Sequence, residues 1–185
     1  MKTESTFGYI LRLSVTLLVI TGVVAGLLAG VNAITKPRIE LAKAEKTTKA
    51  LSAVIPDADT AVELEQFADE SGIVSAVYES ESGYAVQVGP GGFDNTINMM
   101  VGVGKDGKVL GISVISHTET AGLGAVAAAQ NTKGEAFRGQ FVGQGGDLSV
   151  TKDGGTIDAL TGATITSRAV TAGVNAAVAC VEQLG

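Results

Sequence analysis

The amino-acid sequence predicts an α+β domain attached to a single N-terminal transmembrane helix. A long run without charged residues lies near the N-terminus. Short apolar segments with a period of two then alternate with glycine-containing turns, as in antiparallel strands. Apolar residues at helical spacing occupy the last part of the chain. We therefore expect three parts: residues 1–35 with the anchor, a stalk helix over residues 36–56, and a compact domain of antiparallel strands and flanking helices over residues 57–185.

The uncharged run extends over 23 residues, Leu13 to Thr35, between Arg12 and Lys36. A helix of this length, at about 1.5 Å per residue, spans a hydrocarbon core of about 30 Å. A cleaved signal peptide is the alternative, but its apolar region is usually only about 7–15 residues long. The length therefore favours an uncleaved membrane anchor.

Two further features concern the surroundings of the anchor. Gly22, Gly26 and Gly30 share one helix face, on which a neighbouring helix can approach closely, so we expect contact with another membrane subunit. Five basic residues follow the anchor before residue 50, whereas two precede it. The positive-inside rule applied to this bias alone would place the domain in the cytoplasm.

Charge is distributed unevenly along the chain, whose formal net charge is −6. Residues 1–50 carry a net charge of +4 and residues 51–185 a net charge of −10. An acidic globular part without a basic stripe argues against nucleic-acid binding. The single cysteine, Cys180, excludes an intramolecular disulfide and a multi-cysteine metal site.

The stalk and the strands follow the anchor. Pro37 is typical of the first position of a helix, and this stalk helix is expected to end by Pro56. The segment from Asp57 to Glu81 contains eight carboxylates and is expected to be a solvated connection. In the strand after the turn at residues 104–107, the alternating Leu110, Ile112 and Val114 are expected to form a buried face. The expected strands are Ile73–Tyr78, Tyr84–Val88, Ile97–Val103, Val109–Ile115 and Leu148–Thr151.

Three helices are expected in the domain, over Leu123–Asn131, Lys133–Phe141 and Arg168–Leu184. Phe137 and Phe141 would meet on one face of the second helix. Cys180 lies beside the apolar stripe of the last helix and is expected to be a small packing residue. That stripe consists of Val170, Val174, Ala177, Val178 and Val181.

The segment from Asp158 to Ser167 directly precedes the last helix and is the first candidate site. Free N–H groups of a first helical turn, together with the helix dipole, favour a bound phosphate. Gly162 and Ala163 allow a ligand to approach the backbone closely. The segment therefore indicates a phosphate cradle.

The segment from Ser116 to Gly124 is a second candidate, and the loop from Gly89 to Phe93 is a third, weaker one. His117 and Glu119 could be a catalytic pair, whereas one His and one Glu leave a metal site short of ligands. A lone histidine at a strand end is more often structural. Because no Gly-x-Ser-x-Gly elbow is present, the sequence disfavours a hydrolase.

Both main segments carry motifs of a known family. Asp-x-x-Thr-Gly-Ala-Thr-x-Thr-Ser, ending at Ser167, resembles the flavinylation motif of the FMN-binding domain family. His-Thr-Glu-Thr-Ala-Gly-Leu-Gly, ending at Gly124, resembles that family's His-x-Glu-Thr-Pro-Gly-Leu-Gly signature, with Ala121 in place of proline. The resemblance implies FMN attached through its phosphate to Thr164, with no catalytic residue and no metal ligand. The residues that it implies around the flavin are Asp158, Thr161, Gly162, Ala163, Thr166, His117, Glu119, Thr120, Gly122 and Leu123.

Together with the anchor and the chain length, these motifs resemble the RnfG family, the G-subunits of the Rnf complexes. That resemblance implies an electron carrier in a membrane-bound enzyme complex that exchanges electrons between ferredoxin and NAD and translocates Na⁺ or H⁺. The implied partners are the other membrane subunits of the Rnf complex and a flavin transferase. A transferase is expected because an unassisted threonine hydroxyl is a poor nucleophile. The resemblance implies that Asp158 belongs to the segment that this enzyme recognises. The resemblance also implies that the FMN domain lies on the extracytoplasmic side. We expect this orientation rather than the cytoplasmic one that the charge bias predicts.

Two alternatives remain open. The C-subunit of the Na⁺-pumping NADH:quinone oxidoreductase shares the flavinylation motif, although such subunits are usually longer. A non-redox anchored module that binds a phosphate ligand reversibly would use the same cradle, and its denatured protein would be colourless.

Overall fold

The computed structural model describes residues 6–184, which fall into two compact units that divide between Glu45 and Lys46. Helix α1 extends over Thr6–Val54. Residues 8–46 are all exposed, although many of them are large and apolar. Among the described residues, this is the one helix long and apolar enough to cross a membrane. An apolar surface of this length that the other described residues leave uncovered fits a membrane environment.

Pro37 lies inside α1 rather than at the start of a separate helix, so that expectation is wrong. The proline ring removes one backbone donor, which weakens a helix locally. Residues with high helix propensity, such as Glu40, Leu41 and Ala42, follow directly and continue the helix past it.

The described part of the second unit contains a five-stranded antiparallel sheet in the order β1-β2-β3-β4-β5. Four strands agree with the predicted ones to about one residue, and the α+β class is confirmed. The two-residue β1 was missed because two residues are too few for an alternation to be visible. The strands are β1 Val62–Glu63, β2 Val74–Glu79, β3 Gly83–Val88, β4 Asn98–Gly104 and β5 Val109–Ser116.

Leu110 is exposed, so its assignment to the buried face of β5 is wrong. Gly102 pairs with Gly111 and Val103 pairs with Val109, which leaves Leu110 as the extra residue of a β-bulge. The bulge shifts the alternation by one residue, so Val109 is buried in place of Leu110, while Ile112 is buried as expected.

The predicted strand Leu148–Thr151 is reduced to one parallel bridge, between Val150 and Ile157. A 3-10 turn, Thr151–Asp153, follows immediately and ends at Gly154, whose φ is +87°. The N–H of Asp153 donates to the carbonyl of Val150 over 2.8 Å, so the chain turns back before a strand can extend.

Two further α-helices are described, α2 over Thr132–Gly139 and α3 over Thr164–Glu182. The predicted helix Leu123–Asn131 is only a 3-10 turn, Gly124–Ala128. Phe141 follows the end of α2, yet its ring still meets that of Phe137 edge to face, with centroids 5.5 Å apart. The whole predicted stripe of α3 is buried.

The sheet is covered on both faces. Val86, Val88 and Val101 pack in one core with the stripe of α3, while Ala85 and Met100 pack on the other side with residues 50–55. A side chain at Gly102 would collide with the Val54 carbonyl at the end of α1. The absence of a Cβ there therefore lets the last turn of α1 lie directly on the strands.

Candidate functional site

Helix α3 begins directly after a tight turn. Gly162 adopts a φ of +75°, a conformation that glycine allows at little cost, and a Cβ there would lie 3.0 Å from Leu123 Cδ2. The Ser167 hydroxyl accepts the Leu160 N–H and donates to the Ala163 carbonyl, each over 2.9 Å. The serine of the motif therefore fixes the turn to the first turn of the helix.

Thr164 is the first residue of α3, four residues earlier than the sequence predicted. The residue before it, Ala163, makes no side-chain capping hydrogen bond. Because the usual capping side chain is missing, the helix start was not visible in the sequence. Without a capping side chain, the N–H groups of the first turn, at the positive end of the helix dipole, are available to an anion.

The Thr164 hydroxyl oxygen accepts a hydrogen bond from Lys152 Nζ over 2.9 Å. Next to Lys152, the Asp153 carboxylate accepts two hydrogen bonds of 2.7 Å from the Arg168 guanidinium. This fork lowers the pKa of Asp153 below its ordinary value and raises the pKa of Arg168, chiefly through the hydrogen bonds and then through the opposite charges. The 151–153 turn is therefore fastened to α3 one turn beyond Thr164.

Glu119 is a buried carboxylate that joins three separate segments. One oxygen accepts the Thr166 hydroxyl, and the other accepts the N–H groups of Phe93 and Asp94 over 2.8 and 3.4 Å. Gly124 packs so closely that a Cβ would collide with both Glu119 and Thr166. The glutamate thus holds the 92–94 loop against the start of α3.

These segments enclose a cavity of about 300 Å³, which we name the Thr164 cavity. Three of its large apolar side chains, Phe93, Leu123 and Ile165, are exposed to solvent. Its lining residues are Phe93, Glu119, Thr120, Leu123, Gly124, Gly162, Ala163, Thr164, Ile165 and Thr166. The cavity therefore combines apolar surface with a hydroxyl at a helix N-terminus.

A second cavity of about 530 Å³ shares Leu123 with the first, and we name it the Asp158 cavity. Gln140 holds the backbone of Asp158 there, accepting its N–H over 2.7 Å and donating to its carbonyl over 3.2 Å. The lining residues are Gly122, Leu123, Val126, Lys133, Ala136, Phe137, Gln140, Asp158, Ala159, Leu160 and Thr161.

The structure divides the predicted site residues into three groups. Asp158, Thr161 and Gly122 line the Asp158 cavity. His117 is not among the described residues that line either cavity, and its buried Nδ1 has no hydrogen-bond partner within residues 6–184. The remaining predicted residues line the Thr164 cavity: Gly162, Ala163, Thr164, Thr166, Glu119, Thr120 and Leu123.

Sequence reasoning missed Lys152 and Ile165. Ile165 lies inside the motif, and its side chain was not considered as part of the cavity wall. Lys152 is 12 residues from Thr164 and reaches it only because the 151–153 turn folds back. A Lys-Asp-Gly-Gly segment indicates a turn, but nothing in it indicates which hydroxyl the lysine would contact.

The class of protein follows from this site. An uncapped helix N-terminus, a hydroxyl and a lysine suit a phosphate, and the adjoining apolar wall suits a flat aromatic body, so the cavity has the features of a site for a phosphate-bearing cofactor. Residues 92–179 match the FMN-binding domain, and residues 1–54 match the RnfG N-terminal region.

Two relatives with related names match the chain over most of its length, and a third matches about half of it. The G-subunit of the Na⁺-translocating ferredoxin:NAD⁺ oxidoreductase complex of Acetobacterium woodii is 33% identical over 99% of this chain and 97% of its own length. The G-subunit of the ion-translocating oxidoreductase complex of Methanosarcina acetivorans is 33% identical over 91% of this chain and 93% of its own length. The proton-translocating counterpart of Clostridium ljungdahlii is 46% identical over 51% of each chain. The chain therefore belongs to the RnfG family, the G-subunits of the Rnf complexes.

Proposed function

We propose that this chain is a membrane-anchored electron carrier with FMN bound covalently through its phosphate to Thr164. In this proposal it works within an Rnf complex that couples electron exchange between ferredoxin and NAD to Na⁺ or H⁺ translocation. The names of its relatives support the assembly. The observation that carries the site is the position of the Thr164 hydroxyl, at the uncapped start of α3 and in the wall of an apolar cavity.

The residues present fit FMN. The first-turn N–H groups of α3 and Lys152 would hold the phosphate, while Phe93, Leu123 and Ile165 offer apolar surface to the ring system. A cavity of about 300 Å³ is at the lower end for small-molecule sites, which span about 300–1,000 Å³. The protein would therefore cover only part of the flavin, which leaves the rest accessible to an electron-transfer partner.

Attachment is a phosphoryl transfer without change in oxidation state. A bond forms between Thr164 Oγ1 and the flavin phosphorus, and the bond from that phosphorus to the leaving group of the donor breaks. The donor must be an FMN phosphoanhydride, since a simple phosphate monoester has a poor leaving group. The hydroxyl proton passes to a base, and FMN, once bound, accepts and passes on electrons.

The base for this step is expected to come from a flavin transferase. Among the hydrogen bonds of residues 6–184, that of the Thr164 hydroxyl is with Lys152, which is a donor only. The nearby Glu119 is already bonded to Thr166. Asp158 is exposed and lies in the neighbouring Asp158 cavity, where a transferase could reach it.

The test compares Thr164→Val with Thr156→Val, because Thr156 is an exposed threonine close to the motif but outside it. Each full chain is expressed with a flavin transferase, denatured, and examined by intact mass and flavin fluorescence. Wild type and Thr156→Val should carry one FMN, and Thr164→Val should carry none. Flavin retained by Thr164→Val would contradict the assignment, and colourless denatured wild type would favour the reversible binding module.

We also propose that the FMN domain lies on the extracytoplasmic side. Lys105 is exposed at the β4–β5 turn, whereas the native Cys180 is buried. In cells that express Lys105→Cys, a membrane-impermeant thiol reagent should label the protein without lysis. Labelling only after lysis would contradict this orientation.

A further inference from the structure

Lys152 contacts the hydroxyl that is proposed to become the ester. An ammonium group has three donors and no acceptor, so Thr164 Oγ1 is the acceptor in this 2.9 Å contact. The threonine proton must therefore point away from Lys152. This arrangement leaves the hydroxyl proton free for removal and sets a positive charge beside the atom that would bond to phosphorus.

Hydrogen bonds on both sides of Lys152 hold its backbone in place. The N–H of Thr151 donates to the Ile157 carbonyl over 2.8 Å, and the N–H of Gly155 donates to the Val150 carbonyl over 3.1 Å. On the other side, Asp153 is clamped by the two hydrogen bonds from Arg168 of α3. Lys152 thus extends from a turn that is tied to the same helix as Thr164.

The charge of this lysine is unusual in its surroundings. Residues 51–185 carry a net charge of −10, with only six lysines and arginines. Of the described basic residues in that part, Lys152 is the one with a hydrogen bond to a hydroxyl in the wall of the Thr164 cavity. The neighbouring Arg168 is already paired with Asp153. A phosphodiester at Thr164 would bring a negative charge to the point where this cation already lies.

We propose that Lys152 is the positioning residue for the flavin phosphate, holding the Thr164 hydroxyl before attachment and pairing with a phosphate oxygen afterwards. This inference rests on the proposed covalent attachment at Thr164. A charge-assisted hydrogen bond is stronger than a neutral one, and Lys152 would supply it at the same place in both states. A surface lysine without this role would affect neither the free Thr164 hydroxyl nor the attached phosphate.

The first measurement is the rate of attachment. Full-length protein prepared without flavin is mixed with a flavin transferase and an FMN phosphoanhydride donor, and the loaded fraction is followed by intact mass. Lys152→Met should load about tenfold more slowly than wild type, while Lys152→Arg, which keeps the charge, should load nearly as fast. Lys105→Met, a neutralised exposed lysine at the β4–β5 turn, is the matched control and should load like wild type.

The second measurement separates phosphate pairing from a structural role. The unfolding of each full chain in detergent is compared before and after FMN is attached. Attachment should raise the stability of wild type and Lys105→Met by the same amount, and that of Lys152→Met by less. A merely structural role would lower the stability of both forms of Lys152→Met equally.

Equal stabilisation of wild type and Lys152→Met by FMN would overturn the inference, whatever their rates of attachment. This outcome leaves the proposed function intact as long as the wild type carries its flavin on Thr164. Wild type without flavin at Thr164 would instead overturn the proposed function and, with it, the role of Lys152. Lys152→Gln is a second neutral variant for both measurements.

Discussion

Thr164 and Thr166 are two residues apart in one helical turn and have opposite surroundings. Thr166 is buried and donates its hydroxyl to the buried Glu119 carboxylate. Thr164 is half-buried, borders the cavity and accepts from the ammonium of Lys152. Identical side chains therefore have different chemistry. The Thr166 hydroxyl donates its proton to the Glu119 carboxylate, whereas the Thr164 hydroxyl accepts from Lys152 and keeps its own proton available.

Of the changes that would abolish the difference between Thr164 and Thr166, removal of Glu119 is expected to have the largest effect on stability. Glu119→Ala leaves the Thr166 hydroxyl and the N–H groups of Phe93 and Asp94 without their acceptor. An unsatisfied buried hydroxyl at Thr166 costs about 1–3 kcal/mol, whereas the exposed Phe93 and Asp94 can turn their N–H groups to water. We therefore expect the free energy of unfolding to fall by roughly 2–3 kcal/mol. Urea unfolding of the full chain in detergent measures the change. A loss below about 1 kcal/mol would show that Glu119 does not hold the site.

The second prediction exchanges the two threonines for valine, which keeps their shape. Thr166→Val removes the donor to Glu119 and should cost about 1–3 kcal/mol. Thr164→Val should change stability by no more than about 0.5 kcal/mol, because the residue is half-buried and its hydroxyl, among the described residues, is bonded to an exposed lysine. The same urea unfolding, on protein without flavin, compares them. Equal losses would remove the distinction between the two hydroxyls.

The smallest effect concerns a similar carboxylate–hydroxyl contact at the surface. Asp57 accepts the hydroxyl of Ser82 and, over 2.9 Å, its N–H. The Ser82 hydroxyl, ahead of the other contributions, lowers the pKa of Asp57 from 3.8 to about 2. A lowered pKa in the folded state gives stability that is present above pH 3.8 and is lost as the pH falls through about 2.

The stability difference between wild type and Asp57→Asn should therefore shrink when the pH is lowered from 5 to 2. Unfolding experiments across this range measure the difference. A difference that stayed constant with pH would show that the contact does not depend on the charge of Asp57. Asp57 is half-buried, whereas Glu119 is buried, so the effect is expected to be smaller at Asp57.

Local patterns in the sequence predicted much of the fold. The period-two alternation located β2 to β5, and the stripe of α3 was correct, because both depend on neighbours in the chain. The start of α3 was missed because Ala163 provides no capping side chain. Leu110 was assigned to the wrong face because a bulge depends on how β4 and β5 pair.

The candidate site could be predicted only in part for the same reason. The family motifs led to most of the residues in the wall of the Thr164 cavity. The contact between Glu119 and Thr166 joins residues 47 positions apart, and the contact between Lys152 and Thr164 joins residues 12 positions apart. Such pairs form only when the chain has folded, so spacing in the sequence does not reveal them.

The most direct test of the central claim is to locate the flavin on the chain itself. Trypsin cleaves after Lys152 and Arg168, and residues 153–168 between them contain Thr156, Thr161, Thr164, Thr166 and Ser167. Fragmentation mass spectrometry of this peptide, from the full chain isolated out of native membranes, resolves these hydroxyls. We predict one FMN on Thr164. FMN on another residue, or a peptide without FMN, would contradict the account.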